Sequence, residues 1–219
     1  MLDSLKLLPQ FDAWFCARGW QPRAHQKALW QAARAGQDAL LIAPTGGGKT
    51  LAGFMPSLEK LVAKGSTGKL HTLYMSPLKA LAVDIQRNLM QPVDELALDI
   101  SIETRSGDTP QNRKTRQKQN PPDILLTTPE QLALMLSWPE ADDYFAALDT
   151  IIIDELHALA PNKRGDLLAL GLARLTRLAP EAKRLGLSAT VADKQALQRF
   201  LTPQDSGMEE AILIEGKPG

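Results

Sequence analysis

The sequence predicts an α/β fold, a mostly parallel central sheet of about seven strands with helices on both faces. Three observations carry this. Short apolar runs alternate with segments of helical period along the 219 residues, and that alternation demands parallel pairing with right-handed crossovers. The first run, Ala39-Leu40-Leu41-Ile42, empties into a glycine-rich turn that ends in Lys49-Thr50 at the head of a helical pattern. A hydrophobic fraction of 44% and a charged fraction of 23% are those of an ordinary soluble protein, and the length suits one sizeable domain.

Residues 1–20 carry Leu5, Leu7, Leu8, Phe11, Trp14 and Phe15 among polar residues, which predicts one short amphipathic helix ending near Gly19. Pro22 favours an extended entry to a second helix over 24–35, closed by Gly36. Gln26 stands at its start. An amide can donate to and accept from the edge of an adenine at once, although a helix-start Gln taken alone more often meets only water. The loop from Ala43 to Thr50 favours the first of these readings. After Pro44 and Thr45, the glycines Gly46, Gly47 and Gly48 let backbone N–H groups converge on an anion at a helix N-terminus. Lys49 is then placed to reach the β- and γ-phosphates of a nucleotide and Thr50 to ligate a magnesium ion. Ala43 stands where the general pattern has glycine. Leu51, Phe54, Leu58, Leu61 and Val62 predict a helix over 49–63, in which Pro56 is expected to kink it or shorten its regular part.

A polar loop, Gly65 to Gly68, leads to a strand over 71–76 that delivers Ser76-Pro77-Leu78-Lys79-Ala80-Leu81 to its C-terminal end. In an open parallel sheet that edge is where ligands bind. Residues 79–97 read as helix, residues 100–104 as a strand, and Arg105-Ser106-Gly107-Asp108-Thr109 as a polar turn. Arg113, Lys114, Arg116 and Lys118 then make the most basic patch of the chain, which is either a solvated helix face or a contact for a phosphate backbone. The strand over 124–127 runs into Thr128-Pro129-Glu130 and a helical segment over 131–137, and Trp138 to Asp143 reads as a surface loop.

The apolar strand Thr150-Ile151-Ile152-Ile153 presents Asp154-Glu155-Leu156-His157 at its end. A carboxylate directly after a buried strand can hold a magnesium shell, and its neighbour can polarise the water that attacks a γ-phosphate. Lys163-Arg164-Gly165 closes a loop before an apolar helix over 166–178. A sixth strand over 185–190 ends in the hydroxyls of Ser188 and Thr190, and residues 211–214 read as a seventh.

The 25 basic residues balance 25 acidic ones, so net charge names no partner, and any nucleic-acid binding must rest on local groups and backbone amides. The single Cys16 excludes an internal disulfide and a cysteine metal cluster. With no signal-like start and no apolar run near 18 residues, the cytoplasm is the expected location and no membrane is expected as a partner.

Taken together, these motifs resemble the first RecA-like domain of a superfamily 2 DExH-box helicase, a P-loop ATPase fold, over nearly the whole chain. Gln26 looks like the adenine-reading glutamine, Ala43 to Thr50 like motif I, Ser76 to Leu81 like motif Ia and Thr127 to Glu130 like motif Ib. Asp154 to His157 looks like motif II and Ser188-Ala189-Thr190 like motif III. The wording of Ser-Pro-Leu-Lys-Ala-Leu, Arg-Ser-Gly-Asp-Thr, Thr-Thr-Pro-Glu-Gln-Leu, Asp-Glu-Leu-His-Ala-Leu and Lys-Arg-Gly-Asp-Leu is similar to the large helicase-related group, particularly its bacterial ligase-associated branch.

The resemblance implies helices with the adenine-reading motif over 1–36 and an ATP-binding domain over 37–219. It implies ATP and Mg²⁺ held by Gln26, Thr45, Gly46, Gly47, Gly48, Lys49, Thr50 and Asp154, with Thr50 and Asp154 on the metal and Glu155 and Lys49 catalytic. His157, Ser188 and Thr190 would couple the phosphate state to domain movement. Ser76, Pro77, Leu78, Lys79, Arg105, Gly107, Asp108, Thr128, Pro129 and Glu130 would meet the backbone of single-stranded DNA. The implied activity is ATP-driven 3′ to 5′ translocation on that strand, associated with DNA repair. A second RecA-like domain with its arginine-bearing motif is expected downstream, since nothing after Thr190 matches that motif and the chain looks cut near the exit of its first domain. Alone, the chain is expected to be nearly inactive. Two alternatives stay open: an RNA-remodelling ATPase of the same fold, and a nucleotide-binding module without turnover.

Overall fold

A computed structural model describes residues 6–77, 89–189, 191–203 and 210–217. Its centre is a sheet of seven strands: β1 (Ala39–Ile42), β2 (Thr72–Met75), β3 (Ile102–Thr104), β4 (Ile124–Thr127), β5 (Thr150–Ile153), β6 (Lys183–Ser188) and β7 (Ile212–Glu215). They lie in the order β3-β4-β2-β5-β6-β1-β7, and every neighbouring pair is parallel. The helices are α1 (Pro9–Ala17), α2 (Ala24–Arg34), α3 (Lys49–Lys64), α4 (Gln111–Gln119), α5 (Pro129–Leu136), α6 (Ala141–Phe145), α7 (Leu156–Leu159), α8 (Lys163–Leu178) and α9 (Lys194–Leu201). The expected seven strands and two-sided helical cover are both present.

Strand side chains alternate between two cores, as the period of two requires. Leu41 of β1, Tyr74 of β2 and Ile152 of β5 pack with Phe11, Leu29, Trp30, Phe54 and Leu58 of α1, α2 and α3. Leu40, Leu73, Ile151 and Ile153 face the other way, against Leu132, Phe145, Leu168, Leu172 and Leu197 of α5, α6, α8 and α9. Because the sheet is all parallel, the loops that leave β1, β2, β4, β5 and β6 at their C-terminal ends share one edge.

The expectation that Pro56 shortens the regular part of its helix needs correction. α3 runs unbroken from Lys49 to Lys64 with Pro56 inside it. A proline in mid-helix leaves the carbonyl four residues earlier without its donor, and here that carbonyl is Ala52. The buried indole N–H of Trp30 on α2 donates to it at 2.9 Å. A tertiary contact therefore supplies the hydrogen bond that the local sequence removes.

Two further segments differ from the sequence reading. The expected surface loop around 138–143 contains α6, because Ala141, Tyr144 and Phe145 fall on one helical face and bury it in the second core. α9 was not anticipated; Leu197 and Leu201, one turn apart, are buried, and Asp193 caps the helix by accepting from the Ala196 N–H at 2.9 Å. α8 begins at Lys163 rather than three residues later, since Asn162 caps it through the Arg164 N–H. The basic patch of residues 113–118 lies on α4. Leu78, Lys79 and Thr190 lie outside the described residues, as does the part of the helix expected over 79–97 that precedes residue 89, while residues 89–95 are helical.

Trp30→Phe should lower stability partly by stripping the Ala52 carbonyl of its donor, a loss worth about 1–3 kcal/mol for a buried acceptor. In a Pro56→Ala background the helix supplies its own N–H, so the same substitution should be milder by about 1 kcal/mol. Denaturant midpoints for the four members of this double-mutant cycle decide it; additive effects would mean that the indole does not compensate for the proline.

Candidate nucleotide-binding site

The loop after β1 is shaped by two backbone requirements. Gly46 and Gly48 have φ of +76° and +73°, the left-handed region that only glycine enters freely. At Gly47 and Gly48 a side chain would also collide, a Cβ meeting the Pro44 carbonyl oxygen at 2.8 Å and Gln26 Nε2 at 2.6 Å respectively. The loop is anchored at both ends: the Ala43 N–H donates to the Ser188 carbonyl of β6, and Lys49 opens α3. Lys49 is 7% exposed and its ammonium donates to the carbonyls of Ala43 at 2.8 Å and Pro44 at 3.1 Å. Thr45 is exposed and Thr50 half-buried.

Residues of α2 brace this loop from behind. Gln26 accepts from the Arg23 N–H at 2.8 Å and donates to the Gly48 carbonyl at 3.1 Å, so its amide caps its own helix and holds the loop. One N–H and one lone pair remain for a ligand. His25, which the sequence reading passed over, donates from Nε2 to the Gly47 carbonyl at 2.8 Å. With a carbonyl as partner, Nε2 must carry the proton.

Asp154 leaves β5 on the same edge, separated from the β1 loop by β6 alone. It is 4% exposed. Burial raises its pKa, opposed by the Tyr74 hydroxyl, the Glu155 N–H and the charge of Lys49. Tyr74 donates to Oδ2 and the Glu155 N–H to Oδ1 at 2.8 Å. Tyr74 is fully buried, stacked on Phe54 with ring centroids 4.8 Å apart, and the acid beside it joins burial in pushing its pKa well above normal, so it stays a donor. A phenol between the apolar Leu73 and Met75 of a buried strand was the available sequence signal. Glu155 adopts φ +49°, a strained left-handed conformation for a residue with a side chain, at the head of α7. Its carboxylate lies 3.4 Å from His157 Nε2, and His157 Nδ1 faces the Ser188 hydroxyl at 3.2 Å and the Ala189 N–H at 3.4 Å. The residues of the β5 and β6 ends are thus in contact through one imidazole.

The arrangement suits a polyphosphate: a glycine cradle, a buried cation and a buried carboxylate whose charged state lacks full compensation. Among the described residues no cluster of three His, Cys, Asp or Glu could hold a metal by itself. A cation here would need oxygen atoms from the ligand as well.

The candidate nucleic-acid contacts are less uniform. Ser76 is buried at the end of β2, its hydroxyl without a partner among the described residues. Thr128 and Pro129 are buried at the start of α5, while Gly107 and Asp108 are exposed. Glu130 is claimed by Arg164, whose Nε and Nη2 donate to its two oxygens at 2.5 and 3.0 Å. Arg164 also donates to the Pro77 carbonyl. One guanidinium on α8 therefore ties the ends of β2 and β4 to the segment following Glu155. Arg105 is 6% exposed and turns away from the edge, toward α4. On α4, Arg116 pairs with Glu103 at 2.7 Å, Lys118 with Glu140 at 2.9 Å, and Lys114 donates to the Gly107 carbonyl at 2.9 Å.

Arg164 holds the Glu130 pKa down to about 2, from an ordinary 4.5. A depressed carboxylate stabilises the fold above its unfolded pKa and loses that contribution as pH falls toward the folded value. Arg164→Gln should therefore lower the denaturant midpoint at pH 7, and the gap from the unmodified chain should shrink between pH 4.5 and pH 2. A gap independent of pH would show that the pair contributes nothing.

The comparisons with known proteins agree with this geometry. Residues 23–198 match the family model described as DEAD/DEAH box helicase. The chain is 43% identical over 204 residues to the "Lhr helicase/ probable uracil glycosylase" of Mycolicibacterium smegmatis and 42% identical over 223 residues to the "Lhr helicase/uracil glycosylase" of Escherichia coli. These alignments take in 87% and 91% of this chain but only 14% of each relative, so the chain spans about a seventh of their length. Among solved structures, that of the Mycobacterium smegmatis helicase Lhr bound to ssDNA and AMP-PNP superposes with a TM-score of 0.87 at 39% identity, over 96% of this chain and 28% of that one. The chain therefore belongs to the DEAD/DEAH box helicase family.

Proposed function

We propose that this chain is the first, ATP-binding RecA-like domain of a nucleic-acid-dependent ATPase, and that the whole protein uses ATP to move 3′ to 5′ along single-stranded DNA. The observation that carries the reading is the meeting of Lys49 and the buried Asp154 on one sheet edge, next to the strained Glu155. Residues 1–36 would contribute the adenine side through Gln26, and residues 37–219 the phosphate site. The DNA-bound Lhr structure supports the choice of DNA over RNA. Repair within a ligase-associated system is what the sequence resemblance implies, and the cytoplasm is the proposed location; no helix among the described residues is long and apolar enough to cross a membrane.

The residues of this edge suit ATP with Mg²⁺. Lys49, now satisfied by two loop carbonyls, can exchange them for β- and γ-phosphate oxygens. Thr50 and Asp154 would hold the Mg²⁺, which when bound offsets the charge that develops on the phosphates. Tyr74 and the Glu155 N–H fix the Asp154 carboxylate in its rotamer, so little reorganisation is needed. Glu155 would orient and polarise the attacking water. His157, between Glu155 and Ser188, would carry the change at the phosphate to the end of β6, with Thr190 beside it in sequence. Along the neighbouring edge, Ser76 to Lys79, Gly107, Asp108 and Thr128 to Glu130 would meet the DNA backbone, independently of base sequence. A downstream second RecA-like domain would supply the arginine that completes charge stabilisation at the γ-phosphate, typically worth about 10³ to 10⁵ in rate.

In the full-length protein, Lys49→Ala should weaken ATP binding, whereas Glu155→Gln should bind ATP nearly normally and lose turnover with single-stranded DNA. Nucleotide affinity and single-turnover rate separate the two, and normal hydrolysis by Glu155→Gln would overturn its assignment. Comparing stimulation by DNA and RNA strands tests the polymer.

Tyr74→Phe removes no atom that would touch nucleotide, yet it leaves Asp154 short of a donor in a buried site. It should weaken Mg²⁺-dependent ATP binding about tenfold or more, in the range seen for partners that orient metal ligands, while metal-free nucleotide binding changes little. Equal losses with and without Mg²⁺ would assign Tyr74 to the fold alone.

A further inference from the structure

Beside the edge strand β3, away from the nucleotide site, α4 and the segment following α5 enclose a cleft of about 590 Å³. Its inner wall is the Arg105 guanidinium, whose Cζ lies 4.8 Å from the centroid of the Trp138 ring. Lys118 approaches the same ring at 5.3 Å, and Lys114 lines the cleft as well. Arg105 spends Nη1 on the Lys114 carbonyl at 3.0 Å and, more weakly, on Gln117 at 3.4 Å. Among the described residues its Nε has no partner and no carboxylate forms an ion pair with it.

A buried guanidinium without an anion is unusual. Burial pulls the Arg105 pKa down, since its charge loses water and gains no acid in return. Arginine nevertheless stays charged in proteins. With only neutral acceptors on Nη1, the fork is a preformed cationic donor set without an acid, and phosphate is the group that such a fork and two flanking ammonium groups match best. The one acidic group in the cleft, Glu140, holds Lys118 from the exposed rim at 2.9 Å and can yield it.

We propose that this cleft is a second anion site, in which Arg105, Lys118 and Lys114 bind a phosphate of a nucleic-acid strand that leaves the sheet edge along the flank of β3. The choice of a strand rests on the function proposed above. The backbone of Arg105 opens the loop after β3, on the edge assigned to DNA, and Lys114 grips the Gly107 carbonyl of that loop. A strand lying across the loop would reach the cleft next. Trp138 serves as the rigid wall that keeps the guanidinium in place.

The test is the ¹⁵N–¹H signal of the Trp138 indole in the 219-residue chain, identified by its loss in Trp138→Phe. Titrations use inorganic phosphate and, separately, a short oligothymidine, both in a Lys49→Ala background that weakens phosphate binding at the β1 loop. The expected result is a saturable shift with both ligands, lost in Arg105→Gln and reached at lower concentration in Glu140→Gln. A shift with inorganic phosphate alone would keep the anion site and overturn the strand as its source. No shift with either ligand, while fluorescence anisotropy shows the strand bound, would overturn the cleft and leave the proposed function standing. A shift that persists in a folded Arg105→Gln would also overturn it. Should Arg105→Gln fail to fold, Lys118→Gln decides: the salt slope of strand affinity should fall by about one, and an unchanged slope counts against the site.

Discussion

The parallel pairing of β6 with β1 on one side and β5 on the other is the constraint on which the site depends. Neither the glycine loop nor the acidic pair is a site alone. Register places Ile42 opposite Ser188 and Ile153 opposite Gly186, so both chains turn out of the sheet at the same edge. With strands about 4.8 Å apart, one intervening strand leaves a gap near 10 Å, wide enough for phosphates and a hydrated cation. Slippage of one residue would invert every strand side chain between the two cores, and the two cores forbid it.

Around this edge, polar groups that local structure leaves unsatisfied are completed from elsewhere in the chain. Trp30 serves the Ala52 carbonyl orphaned by Pro56. His25 and Gln26 serve carbonyls of the phosphate loop, and Tyr74 serves Asp154. Each unmade bond of this kind would be costly in a dry interior. Together they turn a loop that glycines make flexible into one with a single arrangement, which is what binding a compact anion requires. α2 acts as a brace for the site as much as a layer of the core.

Arg164 gives the edge its second connection. Its fork engages Glu130 and Pro77, and its backbone lies one short helix beyond Glu155. A shift of that segment on nucleotide binding would be felt at the ends of β2 and β4 through a rigid, bidentate contact rather than through solvent. The same fold thus holds one arginine paired with an acid on the edge and another, Arg105, buried without one on the flank.

The strands, the phosphate loop and the acidic motif were legible in the sequence, because each rests on local physics: apolar runs, glycine conformations and the polar residues that directly follow a buried strand. The adjacency of β1, β6 and β5 came only from the tertiary structure, since strand order depends on packing across the sheet. The same holds for α9 and α6, short helices fixed by two or three buried side chains rather than by a long period. Pro56 shows the limit most clearly. Local rules forecast a kinked or shortened helix, whereas α3 keeps its full length and a tryptophan distant in sequence supplies the donor that the proline removes. Tyr74, Arg164 and Arg105 looked like a strand residue, a loop charge and a track contact. Their partners lie 80, 34 and 9 or more residues away in sequence, beyond any local pattern, and only folding brings those groups within reach.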